Sequence, residues 1–370
     1  MTAQSEAVLV APVAVRNFVH RTVEQRVVFG AGTRHEIAEE ARAAGITRAM
    51  VVSTEGQTPR ANELAVLLGD RCQLRFSRAR MHTPISITEE AVGLVAGHRI
   101  DGIVAVGGGS AIGLAKAIAL RTDTVQVVLP TTYSGSEMTD IVGQTAGGVK
   151  QTTRDPKVLP EVIVYDVELT STLPARVSVT SGANAMAHAL EGLYAQNSNP
   201  LIAVIAEEGI RALASALPRF SQALDDMPAR AEALYGAWLC GMVLGATSMA
   251  LHHKLCHVLG GTFDLPHAET HACLLPHTMA YNAPAAAAAM ARAARALAAD
   301  DVPSRLFDLV RDGGAPLSLR ALGLPGDALE RATDMALLNP YWNPRPLERD
   351  EIRALLEDAW HGRRPGSTTA

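Results

Sequence analysis

The chain has 370 residues, 48% of them hydrophobic and 4% aromatic, with a formal net charge of −5 and a pI near 6.2. That length exceeds one ordinary core and suits two packed domains. The slight acidic balance excludes the basic footprint of a nucleic-acid binder, and no apolar run approaches the roughly 18 residues a membrane span needs.

In chain order, residues 1–17 read as an N-terminal extension, because Glu6, Pro12 and the lack of early Lys or Arg argue against a signal peptide. Arg26 to Gly30 is predicted as a short strand, followed by a helix over 34–44. Further strands are predicted at 49–53, 73–76, 103–106, 125–129 and 162–165, with helices at 61–68, 87–98 and 111–120 between them. Short apolar strands alternating with helices predict a doubly wound, mostly parallel sheet. After about Leu173 the pattern becomes helical throughout, with helices predicted at 179–196, 201–217, 230–257, 285–299 and 349–360. The fold class is therefore an α/β domain over 18–175 followed by an all-helical domain over 176–370. Cys72, Cys240, Cys256 and Cys273 show no metal-ribbon or redox spacing, so they read as reduced thiols of a cytoplasmic protein, with Cys256 a packing residue.

Two turns carry ligand-binding chemistry. Gly107, Gly108, Gly109 and Ser110 lie between a strand and a helix, where backbone N–H groups and the helix N-terminus favour a pyrophosphate. A turn made only for packing is the alternative, and the GxGxxG fingerprint is absent. After the next strand, Thr131, Thr132, Tyr133, Ser134 and Ser136 cluster hydroxyls beside Gly135, which suits phosphate and ribose contacts or a capping loop.

The third feature is histidine. Six of the twelve histidines fall between Leu251 and His277. His253 and His257 stack on one helical face, Gly260-Gly261 is predicted to end that helix, and His267 returns after a short loop. This is the geometry of a metal or proton-transfer site, against the alternative of scattered surface imidazoles. Asn184 and His188 sit four apart on an earlier helix, so His188 could complete the set.

These stretches resemble the iron-containing alcohol dehydrogenase superfamily and, within it, the maleylacetate reductases. GGGSAIGLAK (107–116) is similar to the family's GGGSxxDxAK loop, with Gly113 where most metal-dependent members carry Asp. PTTYSGSEMT (130–139), KQTTRDPKVLPEVIVYD (150–166), SGANAMAHALEGLYA (181–195), ALYGAWLCG (233–241), LHHKLCHVLGG (251–261), LPHAETH (265–271) and NPYWNPRP (339–346) resemble the same branch. The resemblance implies a family metal set at Asn184, His188, His253 and His267, with Asn184 standing where the family has Asp. An amide does not neutralise a divalent cation, so the expectation is that these positions are vestigial and no metal is required.

The implied reaction is NADH- or NADPH-dependent reduction of the double bond of 2-maleylacetate to 3-oxoadipate. His253, Lys254, His257, His188 and His267 are the expected catalytic groups. His82, Tyr133 and Lys254 are expected to hold the substrate carboxylates, with a packed core role as the alternative for His82 and Tyr133. Thr54, where many members carry an Asp that bonds the adenosine ribose, leaves NADH and NADPH both acceptable. Rival readings are a metal-dependent alcohol or aldehyde dehydrogenase, a reductase of another unsaturated keto acid, and a scaffold that binds a dinucleotide without turnover. The expected partner is a small unsaturated keto dicarboxylate, with no nucleic acid or membrane, and the expected assembly is a homodimer.

Overall fold

The computed structural model describes residues 18–146 and 149–366; the predicted extension lies outside them. The first half runs β1 (Arg26–Gly30), α1 (Ile37–Ala43), β2 (Ala49–Val52), α2 (Thr58–Leu68), β3 (Cys72–Phe76), α3 (Ile85–His98), β4 (Gly102–Gly107), α4 (Gly109–Thr122), β5 (Val125–Pro130), β6 (Ile141–Ala146), β7 (Val149–Arg154) and β8 (Val162–Asp166). Six strands form one sheet in the order β1-β8-β5-β4-β2-β3, and every pairing is parallel. Continuous apolar runs such as Gly102–Gly107 and Val162–Asp166 are buried along their whole length, as expected of strands covered by helices on both faces.

The antiparallel hairpin of β6 and β7 was not among the predicted strands. Its residues alternate Val, Gln and Thr with little apolar content, and the Gly147-Gly148 pair between them was the available signal.

The second half is helical: α5 (Ala175–Tyr194), α6 (Pro200–Ala216), α7 (Met227–Ala246), α8 (Leu251–Phe263), α9 (His267–Asn282), α10 (Ala287–Leu297), α11 (Val302–Asp312), α12 (Ala328–Leu337) and α13 (Arg349–His361). The single helix predicted over 230–257 is two helices meeting at 96°. The predicted stop at Gly260-Gly261 is also corrected: α8 continues to Phe263 and ends on Asp264 in the left-handed conformation, φ 55°. Helices α9, α11 and α12 were not predicted. In α9 the interior Pro276 and three histidines mask the apolar period, whereas α11 carries a readable start in Asp301, whose side chain accepts the Ser304 N–H. Among the described residues no single helix is long and apolar enough to cross a membrane.

One apolar cluster joins the sheet to the helical half, running from Ile103 and Ile163 through Tyr133 and Met138 to Met186, Leu213 and Val243. The joint is built by close backbone approach: a Cβ on Gly135 would stand 2.9 Å from Gly241 Cα, and one on Gly241 would stand 2.6 Å from the Gly135 carbonyl oxygen. The turn after β5 is thereby seated directly on α7.

Candidate active site between the sheet edge and the helical domain

The carboxyl ends of β2, β4 and β5 lie side by side, with Val52 paired to Ala105 and Gly107 to Pro130. Thr54, Gly107–Ser110 and Thr131–Ser136 therefore share one edge, at the carboxyl end of the parallel sheet. The two turns are locked together. The Thr131 N–H donates to the Gly107 carbonyl at 3.0 Å, and a Cβ on Gly108 would meet the Thr132 side chain at 2.9 Å. Among the described residues no side chain caps α4, and of its first-turn N–H groups that of Ala111 donates to the Gly108 carbonyl at 3.0 Å; a helix start of this kind favours an anion.

Lys116, fully buried on α4, donates to the carbonyls of Ser136, Thr139 and Ile141 and so fixes the second turn from below. Burial pushes this amine down to about 7, with Glu137 and Asp140 opposing. Gly113 has a local reason as well: a Cβ there would lie 2.7 Å from the Thr83 hydroxyl. Thr83 occupies the space that an Asp at this position would require.

The imidazoles gather opposite this edge. His188 comes from α5, His253 and His257 from α8, and His267 from the first position of α9. His188 Nδ1 stands 2.7 Å from His253 Nε2, and His188 Nε2 stands 3.2 Å from the Ser134 carbonyl oxygen. His253 Nδ1 stands 2.7 Å from Glu191 Oε2. The chain ends on an acceptor at both sides, so its three hydrogen bonds need three protons on four ring nitrogens. The imidazole pair thus carries one positive charge, set against the Glu191 carboxylate. Burial and then the neighbouring His253 push His188 well down.

The exposed His257 lies 6.4 Å from His253, ring to ring, and the half-buried His267 contacts His271 at 4.5 Å.

Glu191, which the sequence carries only within the motif at 181–195, is a buried carboxylate of this candidate site that sequence reasoning missed. It is fully buried, and besides His253 it accepts the backbone N–H groups of Ala250 at 2.9 Å and His252 at 2.8 Å. Those are groups at the start of α8, so one carboxylate both caps that helix and orients His253. Burial raises its pKa, but the hydrogen bond and charge of His253 outweigh it and the net shift is downward. The only available signal was an acidic residue one helical turn beyond His188.

Other predicted residues take different places. Tyr133 is fully buried; its hydroxyl accepts from Arg230 at 3.2 Å and its ring stacks on Phe220. It takes the core role that was its alternative. Lys254 sends its amino group to the Leu338 carbonyl at 2.9 Å, over the Tyr341 ring. His82, in the left-handed region at φ 61°, reaches from the α/β half to Asp264 of the helical half at 3.3 Å.

The family metal set is met in position but not in chemistry. Asn184 Oδ1 is buried and finds no hydrogen-bond partner among the described residues, so it is an available oxygen donor. However, none of the four positions carries the carboxylate of the family set, and His188 Nδ1 and His253 Nε2 would have to give up their 2.7 Å contact to face an ion. As arranged, these residues do not fit a divalent cation.

Known proteins agree with this architecture. Residues 24–167 match the family model of the iron-containing alcohol dehydrogenases, and residues 178–360 match that of the C-terminal part of the same family. A maleylacetate reductase of Burkholderia cepacia is 55% identical, with 92% of this chain and 97% of that protein aligned. The crystal structure of maleylacetate reductase from Agrobacterium tumefaciens superposes with a TM-score of 0.91 at 52% identity, covering 95% of this chain and all of that one. At 24% identity a 1,3-propanediol oxidoreductase still superposes with a TM-score of 0.86, which shows the shared fold. The chain belongs to the iron-containing alcohol dehydrogenase family and, within it, to the maleylacetate reductases.

Proposed function

We propose that this oxidoreductase uses a nicotinamide dinucleotide to reduce the carbon–carbon double bond of 2-maleylacetate, giving 3-oxoadipate, in the breakdown of aromatic compounds. The observation that carries the reading is the 55% identity to a maleylacetate reductase across 92% of the chain. The edge formed by Thr54, Gly107–Ser110, Thr131, Thr132, Ser134 and Ser136 would hold the dinucleotide, with the pyrophosphate at the N-terminus of α4. No carboxylate stands at Thr54 to repel a 2′-phosphate, so NADH and NADPH are both admitted.

Hydride arriving at a carbon conjugated with the ketone builds negative charge on the oxo oxygen. His253, His188, His257 and His267 would supply donors to that oxygen and the proton for the second carbon, with Glu191 holding His253 in place. Lys254, drawn toward Leu338 and Tyr341, and His82, at the bridge between the two halves, would meet the substrate carboxylates. The positive charge of the imidazole pair takes the part that a metal plays elsewhere in the family, so no metal is required.

The test is the loss of NADH and NADPH absorbance with freshly prepared maleylacetate, with and without EDTA. Turnover that ignores the chelator is expected. Turnover abolished by EDTA would mean that the four family positions do hold a metal, and no oxidation of either cofactor would refute the substrate.

A further inference from the structure

Behind the reaction imidazoles lies a second cluster that the reduction does not use. His252 and Cys256 are four apart on α8 and so share one face, and His271 faces them from α9. All three are fully buried, and one ligand atom from each lies within 4.8 Å of the other two. His252 Nε2 stands 2.9 Å from His271 Nδ1 and 3.7 Å from the Cys256 sulfur.

The hydrogen bonds fix which nitrogen holds a lone pair. With its single proton directed to the carbonyl of Leu274 or Leu275, the Thr278 hydroxyl accepts from His252 Nδ1, 3.0 Å away. His252 is then protonated on Nδ1 and turns the bare Nε2 inward, the arrangement by which an outer oxygen orients a metal-ligating imidazole. His271 must donate from Nδ1 to that lone pair, which leaves its own Nε2 as a buried acceptor with no partner among the described residues.

We propose that His252, Cys256 and His271 form a binding site for a divalent cation of the zinc class, distinct from the family positions at Asn184, His188, His253 and His267. Coordination releases the thiol proton to solvent and shifts the His271 proton from Nδ1 to the partnerless Nε2, freeing Nδ1 as a ligand. A thiolate and two imidazoles are the donor set this ion favours, at about 2.0 Å for nitrogen and 2.3 Å for sulfur. His271 packs against His253 and His267, at 5.1 and 4.5 Å between ring centroids, but the reduction uses none of the three proposed ligands, so failure of the site would leave the reductase reading intact.

Titration of the purified full-length protein with Co²⁺ tests this without reference to turnover. A thiolate-to-cobalt charge-transfer band is expected, absent in Cys256→Ser, weakened in His271→Asn and retained in His267→Asn. Wild-type protein with no such band, or a band that persists in Cys256→Ser, would overturn the site. Should either variant fail to fold, a wild-type crystal soaked in Zn²⁺ decides by anomalous scattering. A peak among the three side chains supports the proposal; no peak, or one only at the family positions, refutes it.

Discussion

Glu191 accepts a 2.7 Å hydrogen bond from His253 Nδ1 with the same carboxylate that takes the Ala250 and His252 N–H groups at the start of α8. Removing its charge while keeping its shape should disturb the orientation of His253 more than the fold. Glu191→Gln is expected to lower kcat by about two to four orders of magnitude, the range of a lost acid–base or orienting group, with little change in KM. Steady-state kinetics with the dinucleotide saturating read this directly. An unchanged kcat would remove His253 from the reaction.

Asn184→Asp restores the carboxylate that metal-dependent relatives carry. Without a metal, the new buried charge should lower the melting temperature. With Zn²⁺ or Fe²⁺ it should recover by linkage, by about 2.7 kcal/mol at a hundredfold excess over Kd. Thermal melts with and without metal, beside elemental analysis, check this. A variant blind to metal would mean that the His188–His253 contact, and not the missing carboxylate, excludes the ion.

Gly113→Asp tests the neighbouring departure from the family loop. Its Cβ would fall 2.7 Å from the Thr83 hydroxyl, so overpacking should cost about 1–3 kcal/mol. Thr83→Ala clears the obstruction and should restore part of the loss. A denaturant double-mutant cycle measures the coupling, and strictly additive losses would contradict the contact.

His277 gives stability a pH dependence. Burial pushes its imidazole down to about 4, with Asp358 opposing, while in the unfolded chain it titrates near ~6.5. Between those values the unfolded chain binds a proton that the native state does not, so stability falls as pH drops through the window. The contribution is fully lost below about 4 and amounts to roughly 3 kcal/mol at most. Urea midpoints at pH 7 and pH 5 should differ less in His277→Gln than in the wild type.

The fold class, the two polar turns at the sheet edge and the imidazole set were legible because each depends on local pattern. Buried strands such as 103–106 are continuous apolar runs, Gly107–Ser110 punctuates a strand and a helix, and His253 and His257 are set by helical spacing. What escaped depends on contacts distant in sequence. The break between α7 and α8 has no proline at 247–250. It is held by Asn197 accepting from Ser248, Glu191 from Ala250 and His252, and Asn343 from Leu251. Tyr133 sits in a hydroxyl-rich turn like its neighbours, and only Arg230 and Phe220, far along the chain, draw it into the core. The sequence alone determined which groups could do chemistry. The tertiary structure decided their partners, because a buried carboxylate or imidazole takes its protonation and direction from whatever packing brings within hydrogen-bond reach.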